Sequence, residues 1–407
     1  TALDGVTSTP SWTRRHSEEE PRARARYRMI GPEPPPSTKR KRDGNEEEED
    51  EEKRHRRHRR HQPDFNRLAA KYDYFARHVI TTKKNATTTT TTIDFTSWQA
   101  THDLCRALLE EIGVQNWSIP EGHLVPGFTQ RRNYCEWVES LLEKDGVRLE
   151  EDNIRGVDVG TGASAIFALL FTSRHPKWDM FGTDITKEAV ESARRNCSAA
   201  GAAECSCDDT TGQVDGDNCS NSSSKSRRRI SIRDVSKRRT SVTMKVLTED
   251  QNDNREQEEE IEEEPILDLD LFDEEHIDFT VCNPPFFNSM SDSSQNPRTN
   301  FGGTRIENSC RGGESSFVQR MILESRRVTL LRKTNKSIRV RWFTTMVGVK
   351  ATLKMAKKCL REMKETTKIR ETAFVQGKTR RWGLAWSFER AKTFEECVNT
   401  KIVEEQI

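Results

Sequence analysis

The sequence predicts an α/β fold built on a mostly parallel sheet, with a helical segment before it and disordered charged stretches around it. Two observations lead to this prediction. From Gly156 onward, short apolar strands alternate with helices through short links, which is typical of parallel strands joined by right-handed crossovers. Only 32% of the residues are hydrophobic while 33% are charged, so part of the chain is expected to stay unfolded.

Residues 1–61 are predicted to be a disordered tail, because prolines interrupt it and its charges fall in blocks. A basic cluster at 39–42 is followed by acidic residues 46–52 and by a second basic cluster at 53–61. Two basic clusters with a short spacer are typical of a nuclear import signal or of an arm that contacts phosphates. We therefore expect a nuclear location, with a cytoplasmic pool also compatible; a merely solvated tail is the alternative.

Residues 62–150 are predicted to form a helical N-terminal extension. Phe65, Leu68, Tyr72 and Phe75 recur at the spacing of one helix face. Residues 98–112 and 133–142 are predicted to be two further helices, and the threonine run at 87–92 is expected to be a loop. Most apolar residues of these helices are expected to pack in a core.

Residues 151–390 are predicted to hold the sheet. The predicted strands lie at 156–159, 178–184, 277–282, 339–346, 372–375 and 382–388. The predicted helices lie between them, at 165–171, 186–200 and 315–329. Residues 202–264 are polar and acidic and are expected to be a disordered insert, although 230–232 and 242–246 could supply a strand. Residues 391–407 are a predicted C-terminal tail.

A glycine turn follows the first of these strands. Asp158, Gly160, Thr161 and Gly162 would lie at the carboxyl edge of the sheet, where nucleotide-like ligands bind. Glycines let a ligand approach the main chain, and Asp184, which ends the next strand, could accept both hydroxyls of a ribose. Alone, this turn fits a nicotinamide cofactor and S-adenosylmethionine equally well, and a purely structural turn is a third reading.

A second motif favours methyl transfer. Asn283, Pro284, Pro285 and Phe286 follow the buried strand at 277–282, and we predict that these four residues are catalytic. The side-chain oxygen of Asn283 and the carbonyl of Pro284 could accept both N–H groups of a planar amine, with the backbone fixed by the prolines. Phe286 could stack on a flat base. The alternative is a rigid proline turn with a buried phenylalanine.

These motifs resemble the methyltransferase-like protein 16 family, whose members methylate adenine N6 in U6 small nuclear RNA and which is related to a bacterial methyltransferase of large-subunit ribosomal RNA. The matching blocks are 63–72, 131–139, 158–164, 282–287, 312–318, 342–350 and 376–388. The resemblance implies a Rossmann-like class I methyltransferase domain with a seven-stranded sheet, an RNA-binding role for 62–150, and S-adenosylmethionine as cofactor.

The resemblance also implies roles for single residues. Arg131 would contact the cofactor carboxylate, Gly160 would lie against the cofactor, and Asp184, where the family has glutamate, would hold its ribose. The full set of predicted cofactor contacts is Arg131, Asp158, Gly160, Thr161, Gly162, Asp184 and Asn283. The predicted RNA contacts are Phe286, Phe287, Lys350, Arg380 and Arg381. Residues 288–313 would be a mobile loop that covers or uncovers the cofactor site.

Three other functions stay open on the sequence. A protein glutamine N5-methyltransferase uses the same Asn-Pro-Pro-aromatic motif, an RNA-binding protein could have lost catalysis, and the glycine turn alone would fit a nicotinamide oxidoreductase. No apolar run is long enough for a membrane span. The ten cysteines include no Cys-x-x-Cys pair, which argues against zinc and for reduced intracellular thiols. We expect structured RNA as partner, with no metal and no membrane.

Overall fold

A computed structural model describes residues 63–83, 89–201, 203–204, 229–236, 240–246, 257–263, 265–274, 276–287, 302–330, 340–376 and 379–388. The predicted tails at 1–61 and 391–407, most of the predicted insert at 202–264, and residues 288–301 of the predicted mobile loop lie outside the described residues. None of the described helices is both long and apolar enough to cross a membrane.

The N-terminal part is a small helical layer with a β-hairpin. Its elements are α1 (Phe65–Lys71), α2 (Asp73–Ala76), β1 (Val79–Lys83), β2 (Thr89–Ile93) and α3 (Trp98–Glu111). The side chains of Asp64 and Ser97 cap α1 and α3 by accepting main-chain N–H groups. Leu68, Phe75 and Ile93 are buried together between these elements. The predicted helix at 98–112 is confirmed, and the predicted helical segment from Phe65 to Phe75 is divided into α1 and α2 at Tyr72, whose backbone is extended.

The threonine run forms a strand, so the predicted loop at 87–92 is wrong for residues 89–92. Strand β2 pairs antiparallel with β1, with Val79 opposite Ile93 and Lys83 opposite Thr89. Threonine is branched at Cβ, which restricts its side chain and favours extended backbone. The loop is predicted because the run is of low complexity, and that criterion ignores the preference of each threonine for extended backbone.

The main sheet comprises β3 (Arg155–Val159), β4 (Asp179–Asp184), β5 (Ala203–Glu204), β6 (Arg229–Asp234) and β9 (Phe279–Cys282). It is parallel throughout, and its strands lie in the order β5, β6, β4, β3, β9. Val159 lies opposite both Thr183 in β4 and Cys282 in β9. Three strands therefore end at the same level, and the loops that follow them share one edge.

Helices cover both faces of the sheet. One apolar cluster packs Met180 and Phe279 of the sheet against α4 (Phe128–Lys144), α5 (Ile166–Arg174) and α6 (Lys187–Ala199). A second cluster packs Val157 and Cys282 against α7 (Leu269–Glu274), α9 (Gly313–Leu330) and α10 (Lys350–Glu362). Short α8 (Arg305–Asn308) precedes α9. The result is a three-layer α/β/α arrangement.

Strand β6 lies inside the range that the sequence predicts to be a disordered insert. Disorder is wrong for residues 229–236, and the alternative of a strand at 230–232 is confirmed, since Ile230 and Ile232 are buried in the first cluster and β6 pairs along its whole length with β4. A strand of six residues carries a weak signal when polar segments surround it. The same range also holds an antiparallel pair, β7 (Thr240–Val246) and β8 (Gln257–Glu263).

A second sheet adjoins β9. It is antiparallel, with the order β10, β12, β11, and comprises β10 (Phe343–Val347), β11 (Thr366–Gln376) and β12 (Thr379–Phe388). A parallel bridge between Phe279 and Trp342 joins the two sheets. Beyond this bridge, the contact between β9 and β10 passes through side chains.

Those side chains form a directed relay. The hydroxyl of Thr344 donates to the carbonyl of Thr280 at 2.6 Å, so its own oxygen is left to accept. The Tyr134 hydroxyl, 2.6 Å from that oxygen, is therefore the donor to it. Tyr134 in turn accepts the N–H of Cys282 at 3.4 Å. The relay fixes the end of β9 immediately before Asn283.

We predict that Tyr134→Phe lowers the free energy of unfolding by about 1–3 kcal/mol, because the buried N–H of Cys282 loses its acceptor and Thr344 its donor. Urea denaturation monitored by fluorescence measures the change. Tyr72→Phe is the matched control: its hydroxyl bonds the surface carboxylate Glu111, which Lys71 also holds. The control should stay within about 0.5 kcal/mol of the parent. Equal losses in the two variants would contradict the relay.

Candidate active site

A cavity of about 680 Å³ opens at the level where β3, β4 and β9 end. The residues predicted from the sequence that line it are Arg131, Gly160, Thr161, Gly162, Asp184, Asn283 and Pro285. They come from α4, from the glycine turn, and from the ends of β4 and β9. The predicted juxtaposition of the two motifs is thus present.

The glycine turn is fastened to the neighbouring strand. Gly160 and Gly162 have φ angles of 68° and 62°, in the left-handed region that favours glycine. The N–H of Thr161 donates to the carbonyl of Thr183 at 2.9 Å, and the N–H of Gly162 donates to Asp184 Oδ2 at 2.9 Å. A Cβ at Gly160 would meet no atom within 4 Å, so its main chain faces open space.

Asp184 is held at the cavity wall by both of its oxygens. Oδ2 accepts the N–H of Gly162, and Oδ1 accepts the N–H and the hydroxyl of Thr186 at 2.9 and 2.7 Å. Each carboxylate oxygen can accept more than one hydrogen bond. A fixed carboxylate with spare acceptor capacity is suited to a pair of vicinal hydroxyl groups, as a ribose presents them.

Asp158 lies beneath the turn and is not among the residues that line the cavity, so its predicted contact with a cofactor stays a prediction. Its side chain is 1% exposed, and its Oδ2 accepts the Thr161 hydroxyl at 2.7 Å. Burial raises the pKa of this carboxyl to about 7, and the charge of Asp184 adds to the rise. Asp158 supports the turn from inside the sheet.

Arg131 brings a cation into the cavity. It is 7% exposed, and its Nη1 donates to the sulfur of Met346 at 3.0 Å. Its guanidinium lies 5.7 Å from the ring of Phe167. Burial lowers the pKa of Arg131 to about 10, and the charge of Arg381 lowers it further; the group is still a cation near neutral pH. Such a poorly solvated cation is suited to a carboxylate.

Asn283 presents an unpaired acceptor at the same place. Within the part of the chain that the structure describes, its Oδ1 is buried and has no hydrogen-bond donor. Buried polar atoms are usually paired, so an orphan of this kind calls for a ligand. Pro284 is buried and Pro285 lines the cavity, so the main chain that follows Asn283 is stiff.

Phe286 lies beside the cavity and does not line it. The guanidinium of Arg381 lies 5.0 Å from its ring centre, and a Cβ at Gly348 would come within 3.0 Å of the ring. Phe287 ties the motif to the next segment, since its main chain bonds Asn308 and Cys310 at 3.0 Å. Lys350 and Arg380 are exposed outside the cavity.

Two glutamates that the sequence analysis did not single out shape the site. Glu307 lines the cavity, and its oxygens accept the N–H groups of Leu124 and Thr304 and bond His123 Nδ1 at 3.1 Å. It ends the capping box of α8 with Thr304, a spacing that could have indicated it. Glu314 accepts the N–H groups of Gly348 and Val349, next to Phe286.

The donor set fits a ribonucleoside that carries a carboxylate. The carboxylate of Asp184 could accept hydrogen bonds from the ribose hydroxyls, and Arg131 could pair with the carboxylate of the ligand. The glycine turn allows the ligand to approach the main chain closely. Asn283 then faces whatever group reacts with that ligand. Among the described residues, no cluster of His, Cys, Asp and Glu side chains could hold a metal ion.

We predict that Asp158→Asn changes the pH dependence of stability. Folding raises the pKa of this carboxyl from ~3.9 to about 7. Its stabilising contribution is therefore complete below about pH 4 and is lost as the pH rises through 7. Relative to the variant, the parent should lose about 1.4 kcal/mol per pH unit between about pH 4 and 7, then level off. Urea unfolding across this range measures the difference; parallel profiles would contradict it.

The sequence is similar to known RNA methyltransferases. A family model described as RNA methyltransferase matches residues 49–206 and 234–390. The U6 small nuclear RNA (adenine-(43)-N(6))-methyltransferase of Dictyostelium discoideum is 29% identical over 81% of this chain and 54% of that protein. The RNA N(6)-adenosine-methyltransferase METTL16 of Homo sapiens is 31% identical over 80% of this chain and 48% of that protein. The chain spans about half the length of these two relatives.

Solved structures agree with the sequence matches. The human METTL16 catalytic domain in complex with MAT2A 3′UTR hairpin 6 has a TM-score of 0.57 at 26% identity, covering 82% of this chain and 95% of that one. The N-terminal domain of human METTL16 in complex with SAH has a TM-score of 0.53 at 27% identity, covering 82% and 96%. The fold is therefore the α/β methyltransferase fold of those domains, and the chain belongs to the RNA methyltransferase family.

Proposed function

We propose that this chain is an S-adenosylmethionine-dependent methyltransferase that acts on the N6 amine of an adenine in a structured RNA. The buried, unpaired Oδ1 of Asn283 carries the proposal, because it lies on the wall of a cavity suited to a nucleoside. The names of the Dictyostelium and Drosophila relatives point to U6 small nuclear RNA as the substrate.

When bound, S-adenosylmethionine supplies the methyl group. Asp184 would accept its ribose hydroxyls and Arg131 its carboxylate, while Gly160 and Gly162 leave room beside the main chain. The solved SAH complex of human METTL16 supports a donor of this kind. Both charged residues are already held in place by this chain's own contacts, so little reorganisation is needed on binding.

Asn283 and Pro284 would hold the target amine. An adenine N6 amine is planar, and its lone pair is delocalised into the ring. When Asn283 Oδ1 and the Pro284 carbonyl accept its two hydrogens, the nitrogen becomes more tetrahedral and its lone pair turns toward the methyl donor. The methylated nitrogen would then lose one of its protons to solvent, so no general base is required during the transfer itself, and catalysis comes mainly from alignment. The Tyr134 relay fixes the end of β9, and with it the position of these two acceptors.

Phe286 would stack on the target base. Its ring already carries the Arg381 guanidinium over one face, an arrangement that puts a cation beside both the base and the adjoining phosphate. Phe287, Lys350 and Arg380 are the further RNA contacts that we retain from the family resemblance, together with an RNA-binding role for residues 62–150.

Three finer points also belong to the proposal. We propose that the strands β6, β4, β3, β9, β10, β12 and β11 act as one seven-stranded sheet, with the two-residue β5 as an extra strand at its edge. The Phe279–Trp342 bridge and the Tyr134 relay support this proposal. We propose a nuclear location with a cytoplasmic pool, on the basic clusters at 39–42 and 53–61. We propose that residues 302–313, the described part of the predicted mobile loop, act as a cover, since Arg305, Glu307 and Cys310 line the cavity.

We predict that Asn283→Ala lowers kcat for adenine methylation by about 10²–10³-fold, the usual effect of removing one aligned polar contact from a reacting group. The Kd for S-adenosylmethionine, from calorimetry, should change far less than kcat, because only one of the predicted cofactor contacts is lost and Asp184 and Arg131 are untouched. Asn153→Ala, an exposed asparagine, is the matched control and should behave like the parent. An unchanged kcat in Asn283→Ala would contradict the proposed role.

The substrate class is tested by transfer of labelled methyl from S-adenosylmethionine to total cellular RNA and protein. Labelled N6-methyladenosine in a small nuclear RNA, lost in Asn283→Ala, is the result that we expect. Label on protein glutamine would favour the glutamine N5-methyltransferase instead. Tight RNA binding without any transfer would favour an RNA-binding protein that has lost catalysis.

A further inference from the structure

The helix that starts beside Phe286 carries a row of cations along its exposed face. In α10, Lys350, Lys354, Lys358 and Arg361 are exposed, whereas Leu353, Ala356 and Leu360 on the other side are buried. Spacings of four, four and three residues place the four cations on one side of a helix. We call these four residues the cationic stripe.

The first half of the stripe is unfavourable for the helix itself, whereas Arg361 lies in the last turn, where a cation is favoured. Lys350 opens α10, where the positive end of the helix dipole disfavours cations, and the first turn contains no acidic residue. Lys354 has a like charge four residues away on either side, which destabilises a helix. Within the described residues, Lys358 alone of the four is paired with a carboxylate, Glu362 at 3.8 Å, and both side chains are largely exposed. Stability of the fold therefore does not explain the stripe.

The stripe begins at the proposed substrate site. Gly348, two residues before Lys350, packs against the Phe286 ring. Glu314 fixes that approach by accepting the N–H groups of Gly348 and Val349. From Lys350 to Arg361 the helix rises about 17 Å, at ~1.5 Å per residue. The stripe thus leads away from the base-stacking ring along a rigid element.

We propose that the cationic stripe is a track for the RNA backbone beside the target adenine. This inference rests on the proposed function and deepens it, adding Lys354, Lys358 and Arg361 as contacts. One strand of a DNA duplex carries a phosphate every ~3.4 Å along its axis, and the spacing in an RNA strand is of the same order, so ~17 Å faces on the order of five phosphates. Contacts of this type fix position and register and read no base. Phe286 and Asn283 select the adenine, and the stripe holds its flanking strand.

The test uses the triple variant Lys354→Gln, Lys358→Gln, Arg361→Gln in the full chain. The probe is a fluorescein-labelled RNA hairpin with one unpaired adenine, followed by anisotropy at several salt concentrations. Loss of three phosphate contacts should flatten the slope of log K against log salt by about 2 to 3, at ~0.7 per contact for a single strand and ~0.9 for a duplex. The KM for methylation of the same hairpin should rise at low salt, while kcat at saturating RNA should stay close to that of the parent.

Two further variants make the test specific. Lys177→Gln, Arg195→Gln, Arg229→Gln removes the same charge from exposed residues near the start of β4, the end of α6 and the start of β6, at the sheet edge away from the cavity. It should leave the salt slope unchanged. Lys354→Arg, Lys358→Arg, Arg361→Lys keeps the charge and should retain the parent's slope and KM.

The outcomes separate this inference from the function on which it rests. If the parent methylates the hairpin and the stripe variant shows the same salt slope and KM, the track is overturned and the proposed function stands. If both charge-removing triples flatten the slope equally, net charge explains the effect and the track is overturned as well. If the parent neither binds nor methylates RNA, the proposed function fails.

Discussion

The site depends on the parallel register of β3 with its two neighbours. Val159 lies opposite Thr183 on one side and Cys282 on the other, so three strands end together. The glycine turn, Asp184 and Asn283 leave from that common level. A one-residue slip in either pairing would turn alternate side chains to the opposite face of the sheet and raise or lower one wall of the cavity. Residues far apart in the sequence meet there because the sheet aligns them.

One helix connects the two halves of the site. In α4, Arg131 reaches into the cavity, and Tyr134, about one turn later, closes the seam between β9 and β10. The seam replaces a regular backbone ladder with a chain of hydroxyls whose direction is fixed by the Thr280 carbonyl. Buried polar networks of this kind specify one geometry when every member is paired. The position of Asn283 is thereby coupled to the position of the cation.

Much of the site could be predicted from the sequence because its key signals are local. A strand followed by Gly160 and Gly162, and a strand followed by Asn283 and two prolines, each describe a turn whose geometry the residues dictate. Glu314 and Tyr134 could not be assigned, since their partners come from distant elements. The position of Asp158 beneath the turn could not be predicted, because sequence shows that it neighbours the turn but not on which side of the sheet it lies. The strand β6 could be given only as an alternative to disorder, because its two isoleucines stand among polar residues.

The claim that the cavity at the strand ends binds the methyl donor is tested most directly by a crystal structure of the chain with S-adenosylhomocysteine, the product left after methyl transfer. We predict ligand density in the cavity, with the ribose hydroxyls at Asp184, the carboxylate at Arg131 and the sulfur facing the side chain of Asn283. Density that lies elsewhere, or a bound ligand whose sulfur points away from Asn283, would contradict the assignment of this edge of the sheet as the place of methyl transfer.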